Sequence, residues 1–203
     1  MTTVLIYLFR ARRYLPGIYW LAVVAISVVG TLITDNLTDR FGVSLKLTTA
    51  VFGVILMATF AWWQSSEKTL SIHSIYTTRR EAFYWGAILF TFALGTAAGD
   101  LLAETLDIGY WRSGLLFGVC IAVVVIAWKL GANSILTFWL AYILTRPLGA
   151  SIGDYLSQTP SDGGLGLGRF GTSALFLGTI LAVVVFLTKT KKDQIPAAAA
   201  ATA

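Results

Sequence analysis

The chain has 203 residues, of which 57% are hydrophobic and 12% charged, and its net charge is +5. Soluble domains carry about 25% charged residues, so this chain has too little charge to coat a water-facing globule, and 13% aromatics excludes a solvated, disordered chain. One Cys and one His exclude a disulfide framework and a Cys/His zinc centre.

Residues 1–9 are apolar but too short to span a bilayer, and they end in Arg10, Arg12 and Arg13. A cleaved signal peptide carries its positive charge before the apolar run. Residues 1–13 therefore read as the tail of a helix. A bilayer core takes about 20 apolar residues to cross. Six stretches meet or approach that length: 15–34, 45–63, 82–98, 114–128, 134–148 and 172–187. Their hydrophobicity is continuous, without the period of two that a barrel strand needs. The expected fold is all-α and polytopic. Pro147 predicts a kink in the fifth span, and the alanine-rich end, 191–203, reads as a disordered tail.

The basic residues sort by side. The ends shared by the N-terminus, the 64–81 loop, the 128–133 link and the C-terminus hold ten of them, against Arg40, Lys46, Arg112 and Arg169 opposite. The positive-inside rule then puts both termini in the cytoplasm. The +5 balance thus points to a membrane and not to nucleic acid. Seven of the ten acidic residues lie at or near the outer side.

Three spans share one pattern. They read Tyr19-Trp20 … Gly30-Thr31-Leu-Ile-Thr34-Asp35, Tyr84-Trp85 … Gly95-Thr96-Ala-Ala-Gly99-Asp100, and Phe138-Trp139 … Gly149-Ala150-Ser-Ile-Gly153-Asp154, with Trp to Asp 15 residues each time. The following spans match at Ala50-Val51-Phe52, Leu115-Leu116-Phe117 and Ala174-Leu175-Phe176. Aspartate to phenylalanine is 17, 17 and 22 residues, the extra five falling in the Gly-rich loop 162–168. Each unit is a helix running outward and a helix returning: repeat A over 14–64, repeat B over 82–130 and repeat C over 131–190, with a cytoplasmic loop at 65–81. An even number of spans per unit makes the copies parallel, about an axis along the membrane normal. The Trp of each unit is expected near the inner interface, where aromatic belts form.

These repeats, with the stretches Ala11-Arg-Arg-Tyr-Leu-Pro-Gly-Ile-Tyr-Trp20, Thr69-Leu-Ser-Ile-His-Ser-Ile75 and Thr145-Arg-Pro-Leu-Gly-Ala-Ser-Ile-Gly-Asp154, resemble the bacterial "uncharacterised membrane-anchored protein" family, built of four such repeats. The resemblance implies a bacterial inner-membrane protein and gives no settled activity. It also implies a further motif helix before Met1, with residues 1–9 the stub of its partner. A bundle short of one repeat leaves a face to cover, so a homo-oligomer is expected.

Candidate functional residues are acidic. Asp35 and Asp39, like Asp100 and Glu104, are spaced i, i+4 and share a helix face, where like charges repel unless a cation joins them. With Asp154 they suggest a ring of carboxylates suited to a hard cation such as Mg²⁺, Ca²⁺ or Mn²⁺. Thr31 and Thr96 stand beside it, and the small residues allow close helix approach or a local break. Arg146 is an intramembrane charge, expensive and expected to have a partner, and its repeat equivalents are Ser27 and Phe92. It is expected to pair with a motif carboxylate, to bind an anionic group, or to lock helices. No nucleophile-and-base set appears, so no enzyme and no organic cofactor are expected. The leading expectation is a small cation transporter or channel using the repeated aspartates. The alternative is a non-transporting structural or assembly protein whose acidic ends are only solvated.

Overall fold

The computed structural model describes residues 16–75 and 77–190; the expected stub at 1–13 and tail at 191–203 lie outside them. Six long helices follow in order: α1 (Pro16–Asp35), α2 (Leu45–Glu67), α3 (Thr78–Asp100), α4 (Tyr110–Lys129), α5 (Ser134–Ser157) and α6 (Gly168–Thr190). All six are long and apolar enough to cross a membrane, at about 1.5 Å per residue against a core of about 30 Å. No strand occurs among the described residues.

Several helices outrun their apolar stretches because polar groups hold their ends. The hydroxyl of Thr77 accepts from Arg80 N, starting α3 four residues before the expected span, and Asn133 Oδ1 accepts from Ile135 N and Leu136 N at the start of α5. α5 also continues helical through Pro147 to Ser157. Beyond Asp35 and Asp100 the chain does not break. It widens into π-helical turns, Asn36–Arg40 and Leu101–Thr105. At the opposite end of the bundle, Glu67 receives Arg80 Nε at 2.7 Å and Arg79 Nε at 3.6 Å, which ties α2 to α3 across their loop.

The motif helices α1, α3 and α5 form a row with α3 in the middle: α1 packs on α3, and α3 on α5. Each of the first two return helices packs chiefly against the next unit's motif helix, α2 on α3 and α4 on α5. α6 touches α5 and α1 along a small part of its length.

The three motif helices meet by one repeated operation. A Cβ on Gly30 would press on Phe92 Cβ, and one on Gly95 would overlap Arg146 Cβ. Phe92 and Arg146 hold the same position in successive units, as do the two glycines. The Tyr19 ring lies tilted beside Trp85 with centroids 5.7 Å apart, and Tyr84 beside Trp139 at 6.3 Å, again equivalent pairs. This packing also buries two of the three motif tryptophans. Trp85 and Trp139 are only 6% and 4% exposed. With Trp63, Tyr84 and Phe60 they build an aromatic core. Trp62, Trp111 and Trp128 remain exposed and fit the belt role.

Candidate functional site

Residues related by the repeat also touch directly. The hydroxyls of Thr31 and Thr96 lie 3.3 Å apart, and those of Tyr19 and Tyr84 share a hydrogen bond. Equivalent atoms from two parallel helices meet only near the axis that relates them. The Thr31/Thr96 face of α1 and α3 therefore points to that axis. Asp35 and Asp100 lie one turn further out on the same face, four residues on.

The carboxylates converge there. Asp100 lies within electrostatic reach of Asp154, Glu104, Asp35 and Asp39, and Asp154 within reach of Glu104 and Asp35. Asp35, Asp100 and Asp154 are half-buried, while Asp39 and Glu104 are exposed. Tyr110, at the start of α4, donates its hydroxyl to Glu104 Oε1 at 3.4 Å. Among the described residues, however, no three His, Cys, Asp or Glu side chains group closely enough to hold one metal ion. The five acids share a field and not a compact ligand set.

The backbone beneath them is unusual. In the first two units the aspartate is the residue before a π-helical turn that carries the second acid, Asp39 or Glu104. Such turns are rare and cluster at functional sites. The third unit ends differently. Its Gly-rich loop folds back on α5, with Leu165 N donating to Tyr155 O (2.7 Å), Leu167 N to Leu156 O (2.9 Å) and Gly166 N to Gln158 O (2.8 Å). The five inserted residues thus satisfy the carbonyls at the end of α5 that carries Asp154.

Arg146 does not join the acids. It lies eight residues before Asp154, about 12 Å back along the helix. Among the described residues it makes no ion pair, and both ion pairs found converge on Glu67. The expected pairing with a motif carboxylate is therefore corrected: its guanidinium carbon stands 3.4 Å from the centroid of the Phe92 ring. The helix register explains this, because two turns of α5 separate the charge from the acidic end.

Sequence reasoning missed a second polar layer. Thr48, Ser113 and Thr172 each stand four residues before the matched phenylalanine of their return helix, and all three are buried. The recurrence of a hydroxyl at that spacing was the available signal. Thr48 donates to Ser44 O, while Ser113 Oγ, Thr172 Oγ1 and the neighbouring motif-helix hydroxyl Ser151 Oγ are buried without partners.

Six membrane-spanning helices in tandem two-helix units, with equivalent residues meeting at one axis, define a polytopic all-α repeat protein of the membrane. The chain belongs to the family described as Repeat of Unknown Function (DUF347), which it matches over residues 18–69, 83–131 and 137–193. No curated protein and no solved structure matches it.

Proposed function

We propose that this protein carries a small cation across a bacterial cytoplasmic membrane, with Asp35, Asp100 and Asp154 receiving the ion at the outer end of the bundle. The observation that carries the reading is the convergence of repeat-related carboxylates at an axis marked by the Thr31–Thr96 contact. Acidic groups around an axis concentrate cations and exclude anions. The absence of a three-ligand group among the described residues favours an ion that keeps part of its hydration over a tightly held metal centre. Asp39 and Glu104, more exposed, would draw cations towards the mouth. The basic bias of the opposite ends supports cytoplasmic termini. Transport, not catalysis, is the activity proposed. The thin packing of α6 supports a homo-oligomer in which a second copy covers that helix.

A second reading is favoured by the tightness of the axis. The Thr31–Thr96 and Tyr19–Tyr84 contacts close it at two levels, as a purely structural repeat would. Flux separates the two. Proteoliposomes holding the purified chain are expected to take up Na⁺ or Mn²⁺ faster than empty vesicles, and Asp100→Asn and Asp154→Asn to lose most of that uptake. No uptake by the unaltered protein, or equal uptake in both variants, would favour the structural reading and defeat the first.

A further inference from the structure

The charge left unanswered in this bundle is Arg146. Its side chain is packed between α3 and α5, its Nε is buried without a hydrogen-bond partner, and no carboxylate reaches it among the described residues. One face of the guanidinium is taken by the Phe92 ring. A ring on the face leaves the in-plane N–H donors unused, and those are the groups that recognise an anion.

Two further hydroxyls lie about one turn away, towards the starts of α3 and α5. Thr91, next to Phe92 in sequence, is fully buried at 0% exposure, and its Oγ1 has no partner. It lies one turn inward of Gly95, whose missing Cβ is what admits Arg146, so it shares the α3 face that packs against α5. On α5, Tyr142 lies one turn inward of Arg146 and within electrostatic reach of it. Tyr142 in turn lies within reach of Tyr19 on α1. Two adjacent helices, α3 and α5, thus bring a guanidinium and two hydroxyl groups within about one helical turn of one another. Leaving a buried cation uncompensated costs several kcal/mol by the general behaviour of such groups, and a bound anion removes that cost.

We propose that Arg146, Thr91 and Tyr142 form a binding site for a small monoanion, inorganic or carboxylate, near the middle of the spans. The repeat explains how the site arises. The position that is phenylalanine in the second unit is arginine in the third, and the packing operation sets one upon the other. The site is separate from the acidic end and stands whether or not cations pass there.

The test is tryptophan-monitored thermal unfolding of the full chain in a non-ionic detergent. Sodium chloride and sodium acetate are each titrated at constant ionic strength against sodium gluconate. The expected result is a saturable rise in Tm with at least one of the two salts, and the better ligand tells an inorganic ion from a carboxylate. Arg146→Gln should weaken the response by about tenfold or more, the loss expected for a charged hydrogen bond. Arg146→Lys should keep a weaker response, and Thr91→Val should shift half-saturation several-fold. Asp162→Asn, in the exposed loop after α5, should leave it unchanged. A flat Tm for the unaltered protein in both salts overturns the proposal, and so does an unchanged half-saturation in Arg146→Gln. Should Arg146→Gln fail to fold, an unchanged half-saturation in both Arg146→Lys and Thr91→Val overturns it equally.

Discussion

The guanidinium of Arg146 lies over the ring of Phe92, its own counterpart one repeat earlier, at 3.4 Å from the ring centroid. Parallel repeats make this possible, because a fixed rotation brings equivalent positions of adjacent helices side by side. The arginine is held by packing and by the ring's quadrupole, an attraction of about 0.5–2 kcal/mol, and not by a salt bridge. A buried charge held this way lowers stability relative to an apolar side chain of the same length. Arg146→Met is therefore expected to raise the Tm in gluconate buffer, by the equivalent of about 1 kcal/mol or more. Phe92→Leu should lower it in the unaltered background and have a smaller effect in Arg146→Met. Equal effects of Phe92→Leu in both backgrounds would show that the ring does not hold the arginine.

The same rotation places Gly30 against Phe92 and Gly95 against Arg146, with contacts at Cβ. Glycine is needed at these two positions for closeness alone. Gly95→Ala and Gly30→Ala should each destabilise the bundle by roughly 1–3 kcal/mol through overpacking. Gly118, on a helix face with open space around it, provides the control. There alanine removes a helix-weakening residue and should stabilise by up to about 1 kcal/mol. Thermal unfolding of the three variants checks the contrast, and a uniform effect would mean that the close approach is not what these glycines provide.

The repeat was legible because Trp, Gly and Asp recur at fixed spacing, and a two-helix unit fixes that the copies run parallel. The six spans were legible from hydropathy, but their ends were not. The run from Gly149 to Asp154 lies beyond the expected fifth span, and of the two readings open for its small residues, close approach or a local break, the helix takes the first: Ala150 lies against Gly99 and Gly153 against Phe176. The π-helical turns after Asp35 and Asp100 have no signature in residue type, since they depend on how the helix end meets its neighbours. Nor does spacing say which helix a return helix will choose. That α2 packs on α3 is a tertiary preference, and it sets Trp63 against Phe83. Of the candidate site, the acids could be read from the pattern. Their distance from Arg146 needed only the helical rise, but the arginine's partner needed the rotation.

The contact between Thr31 and Thr96 tests the axis itself. Interhelical hydrogen bonds in membranes are worth about 0.6 kcal/mol on average. A double-mutant cycle with Thr31→Val and Thr96→Val should give a coupling of about that size. Thr145→Val, whose hydroxyl bonds its own helix at Tyr142 O, should show no coupling to Thr31→Val. Additive effects of the two axial substitutions would mean that α1 and α3 do not meet through these hydroxyls.

The Gly-rich loop is where the third unit departs most from the first two, and its glycines have distinct reasons. A Cβ on Gly164 would overlap the backbone carbonyl of Gln158, an atom that cannot move without releasing the end of α5. Gly166 sits at φ +76°, where a side chain is strained. Together they let the loop return three N–H groups to the carbonyls of Tyr155, Leu156 and Gln158. Gly164→Val should therefore unravel the last turn of α5. Amide hydrogen exchange should rise across 155–168 while α3 keeps its protection, because the core around Trp85 and Trp139 lies at the other end of the bundle. Since Asp154 precedes Tyr155 directly, the same variant should also reduce any cation uptake that depends on Asp154. Protection of 155–168 equal to that of the unaltered chain would show that the loop does not hold this helix end.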